Sequence, residues 1–140
     1  MKTKFNECLL HFLYSQEITG ALTDVSDLKW TMKLLLISKQ NVQEAHLLAS
    51  QIVQNIPHLD EEIKKLSKEY DLDRISKIDL AILRWALFSR EQGLESERGI
   101  LNEAIRLSKK FSTLEASKFI HAVLDTRISS DEVSQECTTL

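Results

Sequence analysis

The sequence predicts an all-α fold, and three features carry that reading. Apolar residues recur three and four positions apart along nearly the whole chain, the period of one face of a helix. The segments with that period begin at Ser, Asp or Asn and end near Gly or Pro. Three Gly and one Pro in 140 residues are too few for the tight turns of a sandwich or barrel, and they leave no Gly-rich phosphate loop. The expectation is about seven helices in one compact domain, with two halves meeting near Asp71 to Ser76.

The elements follow in order. Residues 4–18 form the first helix, with Phe5, Leu9, Phe12 and Leu13 on one face and Gly20 closing it. Asp24 caps a second, in which Leu28, Met32, Leu35 and Leu36 align. Asn41 followed by Glu44 resembles a capping box opening a third, whose stripe is Ala45, Leu48, Ala49, Ile52, Val53 and Ile56. Pro57 breaks it. His58 to Tyr70 reads as a charged fourth helix with the thin seam Leu59, Ile63 and Leu66. Ser76 with Asp79 starts a fifth, which runs apolar on most sides from Ile78 to Phe88; such a helix is central. Gly93 lies at its end. Ser96 to Lys110 is the sixth, with Ile100, Leu101, Ala104, Ile105 and Ser108 inward. Ser112 with Glu115 caps the seventh, whose buried face is Ala116, Phe119, Ile120, Val123 and Leu124. Residues 1–128 thus make the helical domain, and 129–140 read as a polar, acidic, disordered tail.

Charge and cysteine usage narrow the class. The formal net charge of −3 equals the contribution of Asp131, Glu132 and Glu136 in the tail, which holds no basic residue, so residues 1–128 sum to zero. Nucleic-acid binding would therefore be a patch effect. Cys8 and Cys137 give neither a disulfide framework nor a zinc spacing. The first residues lack the apolar core of a signal peptide, and apolar runs such as Leu34 to Ile37 are far too short to span a membrane. The expectation is a cytoplasmic protein without membrane attachment.

No catalytic constellation emerges, so the chain is not expected to be an enzyme, and no cofactor or metal is implied. His11, His46, His58 and His121 lack ligand spacing. Glu61-Glu62 lie on a solvated helix, without the desolvation that tunes an acid–base pair. Ser89 and Ser108 sit inside helices, not on a strained elbow. Binding is better supported. From Arg98 to Lys118 five basic residues face two acidic ones, Glu103 and Glu115, a local excess of +3. Arg106, Lys109 and Lys110 recur three and four apart on the sixth helix, and Lys118 follows on the next. Such a face attracts a phosphate backbone through counterion release. Cations near a helix C-terminus are equally a plain solvated surface favoured by the macrodipole. Lys2 and Lys4 add a short basic lead, and Phe12 and Tyr14 have faces on which bases can stack. At helical spacing, Phe12 reads first as core, as does Trp85 in the most apolar helix.

Motifs sharpen this reading. Asn102-Glu103-Ala104-Ile105-Arg106-Leu107-Ser108-Lys109-Lys110-Phe111 resembles the N-E-A-I-x-L-A-K-x-F signature of the NusB family. Lys118-Phe119-Ile120-His121-Ala122-Val123-Leu124-Asp125 is similar to its K-F-V-N-G-V-L-D stretch, and Ile78 to Leu87 to its I-D-x-A-I-L-R-L-A-L helix. Near the start, Glu7, Leu13 and Tyr14 match its R-E-x-A-x-Q-A-L-Y helix. The resemblance runs in order through nearly the whole chain.

The resemblance implies two packed helical subdomains and a role in transcription antitermination. Family members pair with a small-subunit ribosomal protein, NusE. The pair binds single-stranded boxA RNA of ribosomal RNA leaders and helps the elongation complex read through terminators. With the charge pattern and the resemblance taken together, the RNA-facing candidates are Lys2, Lys4, Arg106, Lys109, Lys110, Lys118, Phe119 and His121; the partner-facing candidates are Tyr14 and Arg84. Asn102, Glu103 and Asp125 are expected to be structural, as buried polar ties. This chain departs from the pattern where Asn6 replaces the usual Arg and His121-Ala122 replaces Asn-Gly, and Ser96 stands for the usual Pro. Two lysines in the lead offer no bidentate fork to phosphate, so RNA binding would lean on the partner and on Lys109, Lys110 and Lys118. The alternative is a helical protein-interaction module of the same fold with weakened or lost RNA binding. A piece of an RNA methyltransferase is a third reading, with no cofactor loop to support it. Homodimerisation through apolar helices is also open.

Overall fold

The computed structural model describes residues 2–21, 38–67 and 71–125. Among them are six α-helices, one 3-10 turn and no strand. The helices are α1 (Lys2–Thr19), α2 (Lys39–Gln54), α3 (Ile56–Leu66), α4 (Lys77–Glu91), α5 (Glu97–Phe111) and α6 (114–125); the 3-10 turn is Leu72–Arg74. The fold is all-α, as the periodicity requires. The helix expected after Asp24, with Trp30, and the tail 129–140, with Cys137, lie outside the described residues.

The chain divides into two compact units between His58 and Leu59, not near residues 71–76. The reason lies in α3. Its seam Leu59 and Ile63 is wholly buried, and its Asp60 is held by Arg84 of α4, so α3 belongs with the helices that follow it.

In the first unit α1 packs on α2. α1 buries Cys8, Leu9, Leu10, Phe12 and Leu13, and also Asn6 and Glu7. Asn6 is therefore part of an inward face and not of a solvated lead. The rings of Phe12 and of His46 on α2 meet edge to face, at 5.2 Å between centroids and 89° between planes, a favoured aromatic geometry. Gly20 ends α1 with φ of +83°, a conformation only glycine takes without strain, and its N–H donates to Gln16 O at 2.7 Å. Burial pushes the Cys8 thiol up to about 11, which makes it inert as a nucleophile.

His11, half-buried on the same helix, has its imidazole pKa lowered by burial. The folded state thus prefers the neutral ring, and the unfolded chain binds more protons. This contribution to stability is complete above about pH 6.5 and is lost as pH falls through the depressed folded value. Thermal melts should show a Tm that drops from pH 7.5 to pH 5.5, and a shallower drop in His11→Gln.

Capping decides the helix starts. α2 begins earlier than its Asn41 signal suggests, because the Ser38 hydroxyl accepts from the Asn41 N–H at 3.2 Å. It ends at Gln54, and Ile56 with Pro57 opens α3; proline suits a first turn, where its missing N–H has no intrahelical acceptor. α3 runs to Leu66, and the Ser67 hydroxyl donates back to Ile63 O at 2.7 Å; Tyr70, the expected end, lies outside the described residues. Ser76 caps α4 as expected: it accepts from the Asp79 N–H at 3.2 Å and donates to Asp79 Oδ2 at 2.7 Å. Ser96 caps α5, accepting from the Gly99 N–H at 3.1 Å.

In the second unit α4 is central, with every residue from Asp79 to Ser89 buried, Trp85 among them. α5 packs on it through Ile100, Ala104, Leu107 and Ser108. Leu101 and Ile105 are only half-buried, and Leu107 takes the inward place expected of them. The turn between α4 and α5 uses Gly93 at φ +64°, and Arg90 Nη2 meets Glu97 Oε1 across it at 2.6 Å.

Candidate functional site

The candidate residues on α5 and α6 are arranged by a tight turn. Ser112 does not open α6; it closes α5, its N–H donating to Ser108 O at 2.8 Å. Thr113 is the cap instead, its hydroxyl accepting from the Ala116 N–H at 3.0 Å. That geometry sets the C-terminal turn of α5, with Lys109 and Lys110, beside the opening turns of α6.

Between the two helices lies a groove of about 350 Å³ lined by Ile105, Lys109, Leu114, Ser117, Lys118 and His121. Each helix contributes an apolar residue and a lysine one turn on: Ile105 with Lys109, and Leu114 with Lys118. Lys109, Lys118 and His121 are exposed, and among the described residues no carboxylate lines the groove. Three of the candidate RNA-facing side chains therefore meet around an apolar floor.

The other candidates are placed differently. Arg106 is tied to Glu103 on its own helix, so much of its charge is answered within α5. The Lys110 ammonium sits over the Phe111 ring, 5.5 Å from its centroid, a cation–π pair outside the groove. Phe119 is half-buried and faces a second hollow of about 230 Å³ with Arg74, Asp79 and Glu115. Lys118 and Phe119, adjacent in sequence, thus serve different surfaces, as a helix turns about 100° per residue. Lys4 and Tyr14 are exposed on α1 in the first unit, which Lys2 opens.

Two expectations need correction. Arg84, read as a partner contact, is 5% exposed. Its guanidinium is clamped on Asp60, Nε to Oδ1 at 2.9 Å and Nη2 to Oδ2 at 3.0 Å; a fork spent in this way inside the fold cannot also grip a partner. Asn102 and Asp125, read as buried ties, are exposed. They lie on the outer sides of α5 and α6, because Leu107, Ser108, Val123 and Leu124 occupy the inner sides. The residues missed in sequence are Ile105 as a groove wall, Leu114 and Ser117. The available signal was Leu114, an apolar residue just inside a helix start and flanked by polar neighbours.

Among the described residues no group of three His, Cys, Asp or Glu is placed to hold a metal, and no helix is long and apolar enough to cross a membrane.

Comparison with known proteins agrees with the signature that runs through this groove: a profile of the NusB family matches residues 4–128. The chain belongs to the NusB family. It is 32% identical over 125 residues to the transcription antitermination protein NusB of Borreliella afzelii, covering 86% of this chain and 91% of that one. It is 31% identical over 119 residues to the same-named protein of Campylobacter concisus, covering 85% and 89%. With that of Natranaerobius thermophilus it shares 38% over 91 residues, 64% of this chain and 65% of that one. The family's N-E-A-I and K-F elements here are Asn102 to Ile105 on α5 and Lys118-Phe119 on α6, and each gives the groove one residue, Ile105 and Lys118.

Proposed function

We propose that this protein is a transcription antitermination factor that binds boxA-type RNA of ribosomal RNA leaders together with the small-subunit ribosomal protein NusE, acting in the cytoplasm on the elongation complex. Family membership supports the antitermination role. The observation that carries RNA binding is the groove between α5 and α6, where Lys109, Lys118 and His121 converge with no carboxylate among the described residues that line it. Two ammonium groups on such a wall favour phosphate, and the apolar floor suits an unpaired strand better than a duplex. Tyr14, exposed on α1, remains the candidate for the protein partner. No catalysis is part of this role.

The test is fluorescence anisotropy of a labelled boxA-type RNA, with the protein alone and with NusE, across a salt series and against a scrambled RNA. Selective, salt-sensitive binding that strengthens with NusE is the expected result. Binding of NusE without selective RNA binding would instead establish the helical protein-interaction module. The sparse basic lead and the pairing of Arg106 with Glu103 are the features that would account for it.

A further inference from the structure

The groove between α5 and α6 has a composition that charge alone does not explain. A surface for phosphates needs cations only, yet here the lysines frame two aliphatic side chains. Leu114 is 63% exposed, the highest value among the large apolar side chains of the described residues, and it shares the groove with half-buried Ile105. Lone exposed leucines are ordinary. This one lies between Lys109 and Lys118, with His121 two turns further along the same helix face. The Ser117 hydroxyl donates to Leu114 O at 2.6 Å, which leaves its oxygen lone pairs to accept. The second hollow, beside Phe119, contrasts with it: the carboxylates of Asp79 and Glu115 line that wall and disfavour a polyanion there.

A nucleotide has a flat, weakly polar base joined to an anionic backbone. The groove offers the matching parts: an aliphatic floor with the largely buried Ser117 hydroxyl set beside it, an exposed imidazole, and a cation on each side. Its size, about 350 Å³, falls at the small end of ordinary ligand pockets. We propose that the groove is a base seat, in which one unstacked nucleobase of the bound single strand rests on Leu114 and Ile105 while its flanking phosphates lie on Lys109 and Lys118. This rests on the RNA-binding reading above and adds to it a discrete subsite whose floor is aliphatic. One consequence is that affinity through this subsite has two separable parts. The lysines supply a salt-dependent part, and Leu114 supplies a part that salt leaves alone.

The experiment is a double cycle in the same anisotropy assay, with NusE present. Leu114→Ala is combined with a series of boxA-type RNAs, each abasic at one position. Leu114→Ala should weaken binding of intact RNA about tenfold, the scale of losing part of a leucine's buried apolar surface, with an unchanged slope of log affinity against log salt and an unchanged Tm. One abasic position should weaken the wild-type protein by a similar factor and leave Leu114→Ala nearly unaffected. Lys118→Ala should behave oppositely, with a slope shallower by about 0.7 and no coupling to any abasic position. If wild-type protein binds RNA while Leu114→Ala binds equally well, or no abasic position couples to it, the base seat is wrong and the RNA-binding reading stands. If Leu114→Ala instead weakens NusE binding in the absence of RNA, the groove is a protein contact and the base seat is wrong. If wild-type protein binds no RNA with NusE, both readings fall together.

Discussion

Replacing Arg84 with Ala is expected to destabilise the protein by about 3 kcal/mol, at the lower end for removal of one partner from a buried ion pair. The Arg84 side chain is 6% exposed and that of Asp60 20%, so the variant strands a largely buried carboxylate. Water can still reach part of Asp60, which is why the lower end applies. The midpoint of thermal unfolding should fall by about 10 °C for a chain of this size. The double variant Arg84→Met, Asp60→Leu should recover most of that loss, because it removes both desolvated charges and keeps the volume filled. Circular dichroism melts of the three proteins test this. If Arg84→Ala unfolds like the wild type, the ion pair does not hold α3 to α4, and an apolar contact such as that of Leu59 and Ile63 must.

The second large effect concerns RNA. The double variant Lys109→Ala, Lys118→Ala should bind boxA-type RNA about tenfold more weakly at low salt, equivalent to about 1.4 kcal/mol shared between two exposed cations. Its slope of log affinity against log salt should be shallower by about 1.4, at about 0.7 for each single-strand phosphate that the variant no longer neutralises. Lys110→Ala and Arg106→Ala are the informative controls. Their cations are engaged with Phe111 and Glu103 respectively, so each should change the slope much less. Equal effects from all four cations would mean that the whole basic face of α5 and α6 acts as a diffuse field, without a groove that selects among them.

The contrast among these four residues shows where sequence reading stops. Arg106, Lys109, Lys110 and Lys118 look equivalent as charges at helical spacing. Their roles separate only when neighbours are placed: Glu103 one turn back along α5, the Phe111 ring under Lys110, and Leu114 brought across the turn. Arg84 is the sharper case. Its partner lies 24 positions away on another helix, a separation that no local pattern encodes. The helix starts show a milder version. The hydroxyls of Ser76 and Ser96 were legible as caps because each precedes an apolar run. Ser38 and Thr113 displaced the candidates Asn41 and Ser112, since several residues near each start can accept from a free N–H and only the chain path chooses one.

By itself the sequence determined that the chain is helical, because three- and four-residue apolar spacing and scarce Gly and Pro leave the backbone no other way to bury its side chains. It also determined that α4 is central, because an all-round apolar helix must be surrounded, and that the chain has the NusB family's motifs. The tertiary structure alone decided that α3 joins the second unit, that Arg84 and Asn6 face inward, and that Lys109, Lys118 and His121 share one groove with Leu114. The physical reason is common to all of these. Periodicity states which residues must leave water, but charge pairing and grooves depend on atoms far apart in the chain, and packing is what brings them together.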